Sequence, residues 1–395
     1  MWPLRQADLA QGVASYADVL IFVEDPGAAN YVAQLPEALN KRGLHTRLLA
    51  AGSSADYLRE CRIPLEGVPD SATAKEILEQ ARPRLLIVGT AENPDTLGLA
   101  LLSEASRARI ESVAVIDALA NAEYRFRGRG DGPLTHAPDW LLVPDELTKD
   151  AYVALSYPSA QATVCGHPHY DHVRTIGAQL AGRDRTALRH SLFPGVSEKR
   201  TVVVFAAEVS TGLDPDQYRR SPDYSLAGRG LSDDRTHIVL EEFLDAILPL
   251  KPRPYLVLRL HPKNAMDEFS HVVDDFDTVS SGGSPIEVAY AADLMVGMTS
   301  MLLLEAALLE RPTMSIVPRA LEMDWLPAIR MGATPCATTR CQVRKVLGEL
   351  LCCGSPAVQN DLGHTFVSGS LHRVVEFVER RLARQAEVRS RTVRA

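Results

Sequence analysis

Short runs of apolar, often β-branched residues alternate with amphipathic stretches along almost the whole of this chain, and that alternation restricts its fold more than any other feature. A short apolar run followed by a stretch of helical period is how a buried parallel strand and its covering helix read in sequence. In the first half the strand candidates are Asp18–Val23, Thr46–Ala50, Arg84–Val88, Glu111–Ile116, Trp140–Val143 and Gln161–Cys165. Helical patterns cover Asn30–Arg42, Thr73–Ala81, Thr96–Arg107 and Glu146–Tyr157. After Cys165 the alternation lapses into a polar helical stretch, Tyr170–Ser191, and the turn-rich Phe193-Pro194-Gly195, and then restarts. The second series has strands at Thr201–Ala206, Tyr255–Leu260, Asp293–Gly297 and Thr313–Val317, and helices at His237–Leu248, Ser300–Glu310 and Gln342–Cys352. A series that begins again reads as a second, independent doubly wound unit.

The expected class is therefore α/β, with two Rossmann-like doubly wound domains facing a cleft. The expected boundaries are 1–170, an interdomain linker 171–197, a second domain 198–370, and a C-terminal helix and basic tail 371–395. A length of 395 residues suits two domains of roughly 100–200 residues each. No repeat of about 20–50 residues is present, which argues against solenoids and propellers.

The 42 Lys and Arg against 50 Asp and Glu give a net charge of −8, so no global field gathers nucleic acid or an anionic membrane, and any anion needs a local site. One segment departs from this balance. Arg380, Arg381, Arg384, Arg389, Arg391 and Arg394 face only Glu387, which reads as a solvated helix end and tail, with a weak membrane-surface contact as the alternative. The six cysteines form no CxxC pair, so neither a disulfide framework nor a zinc ribbon is indicated. The N-terminus lacks a basic stretch leading into an apolar core, and no run approaches about 18 apolar residues. The expected compartment is the cytoplasm.

In open α/β sheets ligands bind beyond the carboxyl ends of the strands, so the residues there are the candidates for chemistry. The first strand runs through Glu24-Asp25-Pro26-Gly27-Ala28-Ala29-Asn30 into a helix. It lacks GxGxxG, and no GxxxxGK[ST] occurs in the chain, which weakens dinucleotide and P-loop readings. Asp25 is either a general base or the cap of the following helix. Asp117 holds the analogous place after Ile116, with Asn121, Tyr124, Arg125 and Phe126 on the same rim. Gly27, Asn30, Asn121, Arg125 and Glu208 make up the expected donor or acceptor wall.

Two further segments stand out. Gly166-His167-Pro168-His169-Tyr170-Asp171-His172 contains HxHxDH, the spacing by which metallo-β-lactamase-like hydrolases ligate paired zinc; a structural role is a second reading. A third reading rests on a family resemblance, which implies an interdomain turn with His167 facing the cleft. In the second half, the strand beginning at Tyr255 ends in Arg259-Leu260-His261-Pro262-Lys263, gathering three basic side chains on an acidic protein, as a phosphate leaving group requires. Ala292-Asp293-Leu294-Met295-Val296-Gly297-Met298-Thr299-Ser300 then opens a helix carrying Glu305, a start that suits phosphate.

These motifs resemble those of GT-B enzymes. The Gly-His-Pro turn with Asp171 looks like the interdomain turn of GT-B glycosyltransferases, lipid A disaccharide synthase among them. The HPK strand end, the D-L-x-x-G-x-T-S-x-x-x-x-E-A segment and the following Arg311-Pro312-Thr313 are most similar to the nucleotide half of capsule and cell-surface polysaccharide transferases and of the UDP-N-acetylglucosamine 2-epimerase superfamily. The resemblance implies that His261 and Lys263 meet phosphate, beside the Arg259 that the strand end already offers, that Thr299 and Ser300 bind it by hydroxyl and backbone N–H, and that Glu305 holds the ribose. It implies a nucleotide-sugar donor, a glycan, lipid-linked or small-molecule acceptor, no nucleic acid, and neither metal nor other cofactor. Asp25, Asp117 and His167 become the catalytic candidates. Met301-Leu302 stands where the epimerase branch has Gly-Gly, and Gly-His-Pro where that branch has Gly-His-Arg, so the expected activity is glycosyl transfer. A sugar-nucleotide epimerase or hydrolase of the same fold, or the zinc hydrolase of residues 167–172, is the alternative.

Overall fold

The computed structural model describes residues 16–91, 93–209, 218–230, 232–352 and 368–394, except the side chains of 389 and 391–394. The side chains of Arg389, Arg391 and Arg394 lie outside the described residues.

The strands of the first series are β1 (Val19–Val23), β2 (Thr46–Ala50), β3 (Glu66–Gly67), β4 (Leu85–Gly89), β5 (Glu111–Val115), β6 (Trp140–Val143) and β7 (Ala162–Val164). The second series has β8 (Val202–Ala206), β9 (Tyr255–Arg259), β10 (Thr278–Ser280), β11 (Leu294–Gly297), β12 (Thr313–Ile316) and β13 (Cys336–Ala337). They form two sheets, ordered β3-β2-β1-β4-β5-β6-β7 and β10-β9-β8-β11-β12-β13, with every ladder parallel. Two doubly wound Rossmann-like units result, as the restarted alternation implies.

Both central strands are wholly buried because helices cover each face. Along β1, Val19, Ile21 and Val23 enter one core while Leu20 and Phe22 enter the other; β8 divides Val203 and Phe205 from Val202, Val204 and Ala206 in the same way. Each sheet reverses its order at the central strand, between β1 and β4 and between β8 and β11. Those two switch points are where an open parallel sheet leaves a crevice at its carboxyl edge.

The structure departs from the sequence reading at several elements. Asn30–Arg42 is two short helices, Pro26–Val32 and Leu35–Asn40. Tyr170–Ser191 is also two, Pro168–Leu180 and Arg185–Leu192, parted at Gly182 and restarted by Asp184, which accepts the N–H of Thr186 at 2.8 Å and of Ala187 at 3.3 Å. Tyr170, Val173 and Leu180 pack into the second unit's core. The edge strands β3, β10 and β13, two or three residues each, carry no readable period.

The helix Ser370–Arg394 returns to the first unit, where Val374, Phe377, Val378 and Leu382 share a core with Val19 and Ile21. Arg381, counted from sequence in the solvated basic face, instead donates to Glu111 at 2.6 Å and lies 4.1 Å over the Trp140 ring. No helix among the described residues is long and apolar enough to cross a membrane.

The chain thus passes between the units twice, and the passages are tied together. Asp171, on the first, accepts the backbone N–H of Ser370 at 2.7 Å and of Gly369 at 3.3 Å on the second. Gly166 sits at φ +76°, and a Cβ there would lie 2.3 Å from Ser370 Oγ.

Candidate functional site between the two sheets

The carboxyl edges of both sheets border one cavity of about 470 Å³. Asp25, Gly27, Asn30, Asp117 and Asn121 line it from the first unit, and Glu208, Arg235, Arg259, His261, Thr299, Ser300 and Glu305 from the second.

On the first wall, Asp25 follows β1 and caps the helix Pro26–Val32: Oδ1 accepts the Gly27 N–H at 3.0 Å. Its other oxygen faces the second unit, where Lys263 Nζ stands 2.5 Å away. Asp117 follows β5 and is held at 2.7 Å by Arg125, which also donates to Thr90 Oγ1 at 2.8 Å and the Ala120 carbonyl at 3.2 Å. Arg125 is 5% exposed and stands behind the wall, fixing Asp117, rather than forming the wall as expected. Asn121 adopts φ +59°, the left-handed region that Asn tolerates better than most residues. Asn30 Oδ1 accepts the Tyr57 hydroxyl at 2.5 Å.

The second wall differs from the expected phosphate cradle at Thr299. Glu208, following β8, accepts the Thr299 N–H at 2.5 Å and its hydroxyl at 3.0 Å, so a carboxylate of the protein holds the donors assigned to phosphate. Arg235 locks it there, pairing with Glu208 at 3.0 Å while also binding Glu322, which Arg319 meets at 2.6 Å. Burial works against charge on Arg235, but the two carboxylates more than offset this and its pKa stands raised. Arg259 is likewise engaged, donating to Ser280 Oγ at 2.9 Å, to the Gly282 carbonyl and to the Gly283 carbonyl at 3.3 Å. It shapes the loop beside the cavity instead of projecting as a spare cation.

His261 Nδ1 accepts the Lys263 N–H at 3.1 Å, which leaves the ring proton on Nε2. Burial, and after it Lys263, lowers its pKa, so the ring is neutral near pH 7. Ser300 caps the helix Met301–Leu308 through the Leu302 N–H at 3.3 Å. Glu305, 5% exposed, takes His169 Nε2 at 3.0 Å on Oε1, while its buried Oε2 has no hydrogen-bond partner.

The histidine segment does not form a metal centre. His167 caps the helix Pro168–Leu180 through the His169 N–H, Asp171 turns to the second interdomain passage, and His169 turns to Glu305. Among the described residues no three His, Cys, Asp or Glu side chains converge as metal ligands. His167 also misses the cleft: it is 4% exposed, stacked 4.4 Å from Tyr170 and tilted against Tyr31 at 4.8 Å.

Burial, with a smaller contribution from His169, holds the His167 pKa well below 6.5. The unfolded chain then takes up this proton first, so the stability it gives is full above about pH 6.5 and is lost as pH falls below that value. His167→Asn keeps a capping side chain and is expected to reduce the acid-side slope of unfolding free energy by up to about 1.4 kcal/mol per pH unit, read by urea titrations between pH 7.5 and 5.5.

No family model matches the chain, and no curated protein matches it in sequence. Solved structures do match in shape. UDP-GlcNAc 2-epimerase from Neisseria meningitidis, bound to UDP-GlcNAc, superposes with a TM-score of 0.65 at 13% identity, covering 92% of this chain and 99% of its own. The Methanocaldococcus jannaschii enzyme, in complex with UDP-GlcNAc and UDP, gives 0.62 at 13%, covering 91% and 99%. The fold is GT-B. The wall teichoic acid polymerase TagF shares it, with a TM-score of 0.58 at 12% identity over 94% of this chain and 90% of that one. At such identities the likeness concerns backbone architecture; residue roles rest on the geometry above.

Proposed function

We propose that the protein is a GT-B glycosyltransferase that moves a sugar from a nucleotide-sugar donor to an acceptor hydroxyl without a metal. The observation that carries the reading is Glu305, on the wall of a cavity at the carboxyl edges of both sheets, whose buried Oε2 has no hydrogen-bond partner. It suits a ribose hydroxyl. Lys263 and the Nε2–H of His261 then meet the phosphates, joined by the start of the helix Met301–Leu308 at Ser300. The structural neighbours were solved bound to UDP-GlcNAc and UDP, or soaked with CDPG, which agrees with a nucleotide-linked donor.

Across the cavity Asp25 and Asp117 face the acceptor side. Asp117 is fixed by a buried arginine on its own unit, whereas Asp25 is held by a half-exposed lysine of the other unit, and we assign Asp25 as the base. Calorimetric titration with UDP, CMP, CDP, GDP and ADP, with and without EDTA, tests the reading. Selective binding of one nucleotide, unchanged by EDTA, is expected. Failure to bind any of them defeats it. Consumption of the matching nucleotide sugar with no acceptor present establishes the epimerase or hydrolase instead.

A further inference from the structure

Basic side chains around the cavity already have protein partners. Arg235 is 2% exposed between Glu208 and Glu322, Arg125 is bound to Asp117, and Arg259 is held by the loop at residues 280–283. Lys263 differs in two respects. Its side chain is 38% exposed, and its carboxylate partner belongs to the opposite unit. A phosphate entering the second unit and the carboxylate of Asp25 therefore need the same ammonium group.

We propose that Lys263 is a positioning residue that exchanges Asp25 for the donor phosphate, so that nucleotide binding releases the base. This rests on the nucleotide-sugar reading and adds an order to it: donor first, then acceptor. In the empty cleft the ammonium holds the Asp25 carboxylate and occupies the oxygen that an acceptor hydroxyl would need. With the donor in place, the ammonium faces the phosphate, and the carboxylate is left facing the acceptor hydroxyl. Asp25 then takes the hydroxyl proton, the hydroxyl oxygen bonds to the anomeric carbon, and the bond from that carbon to the phosphate oxygen breaks. The nucleotide leaves with the electron pair, its new charge met by Lys263.

Asp25→Asn separates the two functions, because Asn still caps the helix Pro26–Val32 but offers Lys263 no charge. In calorimetric titration, the nucleotide that binds the wild-type protein is expected to bind Asp25→Asn about three- to fivefold tighter, the worth of a partly exposed ion pair. The same substitution in a Lys263→Met background is expected to change nothing. In turnover, Asp25→Asn lowers kcat while the donor's affinity rises, a split that a purely structural Asp25 does not give. Asp25→Ser, also a capping residue, repeats the measurement if the amide variant folds poorly. Unchanged or weaker binding by both variants overturns the exchange, as does an equal gain in the Lys263→Met background. Absence of nucleotide binding by the wild-type protein overturns the nucleotide-sugar reading itself, a different result.

Discussion

Arg235→Met is expected to destabilise the protein by about 3–5 kcal/mol, the usual consequence of removing one partner from a buried ion pair. The guanidinium is 2% exposed and stands between Glu208 and the fully buried Glu322. Without it two carboxylates share the single positive charge of Arg319, which reaches only Glu322 among them. Glu208 keeps the Thr299 donors, yet a carboxylate with neutral partners in a half-closed cavity has lost its main compensation. Urea unfolding at neutral pH gives the number. Glu208→Gln in the same background removes the orphaned charge, leaves the Arg319–Glu322 pair in place and is expected to restore part of the loss; an Arg235→Met protein as stable as wild type would show that the network contributes little. Arg235→Lys separates charge from geometry, since an ammonium cannot serve both carboxylates as the planar fork does.

Gly27→Ala is expected to lower activity by about 100-fold, the scale that misplacing a catalytic group by roughly 1 Å produces. On helix propensity alone the change looks favourable, by about 1 kcal/mol. The close approach of Asp117 on the same wall reverses that sign. A Cβ on Gly27 would fall 2.1 Å from Asp117 Oδ2 and 3.1 Å from its Cγ, and Asp117 cannot swing aside without leaving Arg125, itself anchored to Thr90 and Ala120. Overpacking of this kind also costs about 1–3 kcal/mol of stability. Turnover measured alongside nucleotide affinity distinguishes displacement of Asp117, which lowers kcat with affinity kept, from general damage, which lowers both.

Much of the architecture is legible in the sequence because burial on both faces imposes a pattern that needs no knowledge of partners. The apolar runs at Thr46–Ala50 and Trp140–Val143 match their strands end to end. Edge strands such as Glu66–Gly67 are too short to show a period, since one or two hydrogen-bonded residues at a sheet margin leave no pattern. The break between the two linker helices did have a signal: Gly182 as a stop and Asp184 as a cap, outweighed by the polar helical stretch around them.

Strand-end residues are legible as candidates, because the chain must leave each strand beside the crevice; Asp25, Asp117, Glu208 and His261 all reach the cavity wall. Their occupancy is not. Arg235 had no mark in Asp234-Arg235-Thr236, since its partners lie 27 and 87 residues away in sequence. That Glu208 holds the Thr299 donors, and that His167 turns inward to Tyr31 and Tyr170, likewise depend on contacts between distant segments.

The knot of hydrogen bonds joining Asp171 to Gly369 and Ser370 has a mechanical consequence. Two separate straps between the units would allow them to slide; straps fastened to each other act as a pivot. Opening then becomes a rotation about that fastening, resisted by the Asp25–Lys263 pair and by Arg330, which pairs at 2.8 Å with Asp145 of the first unit.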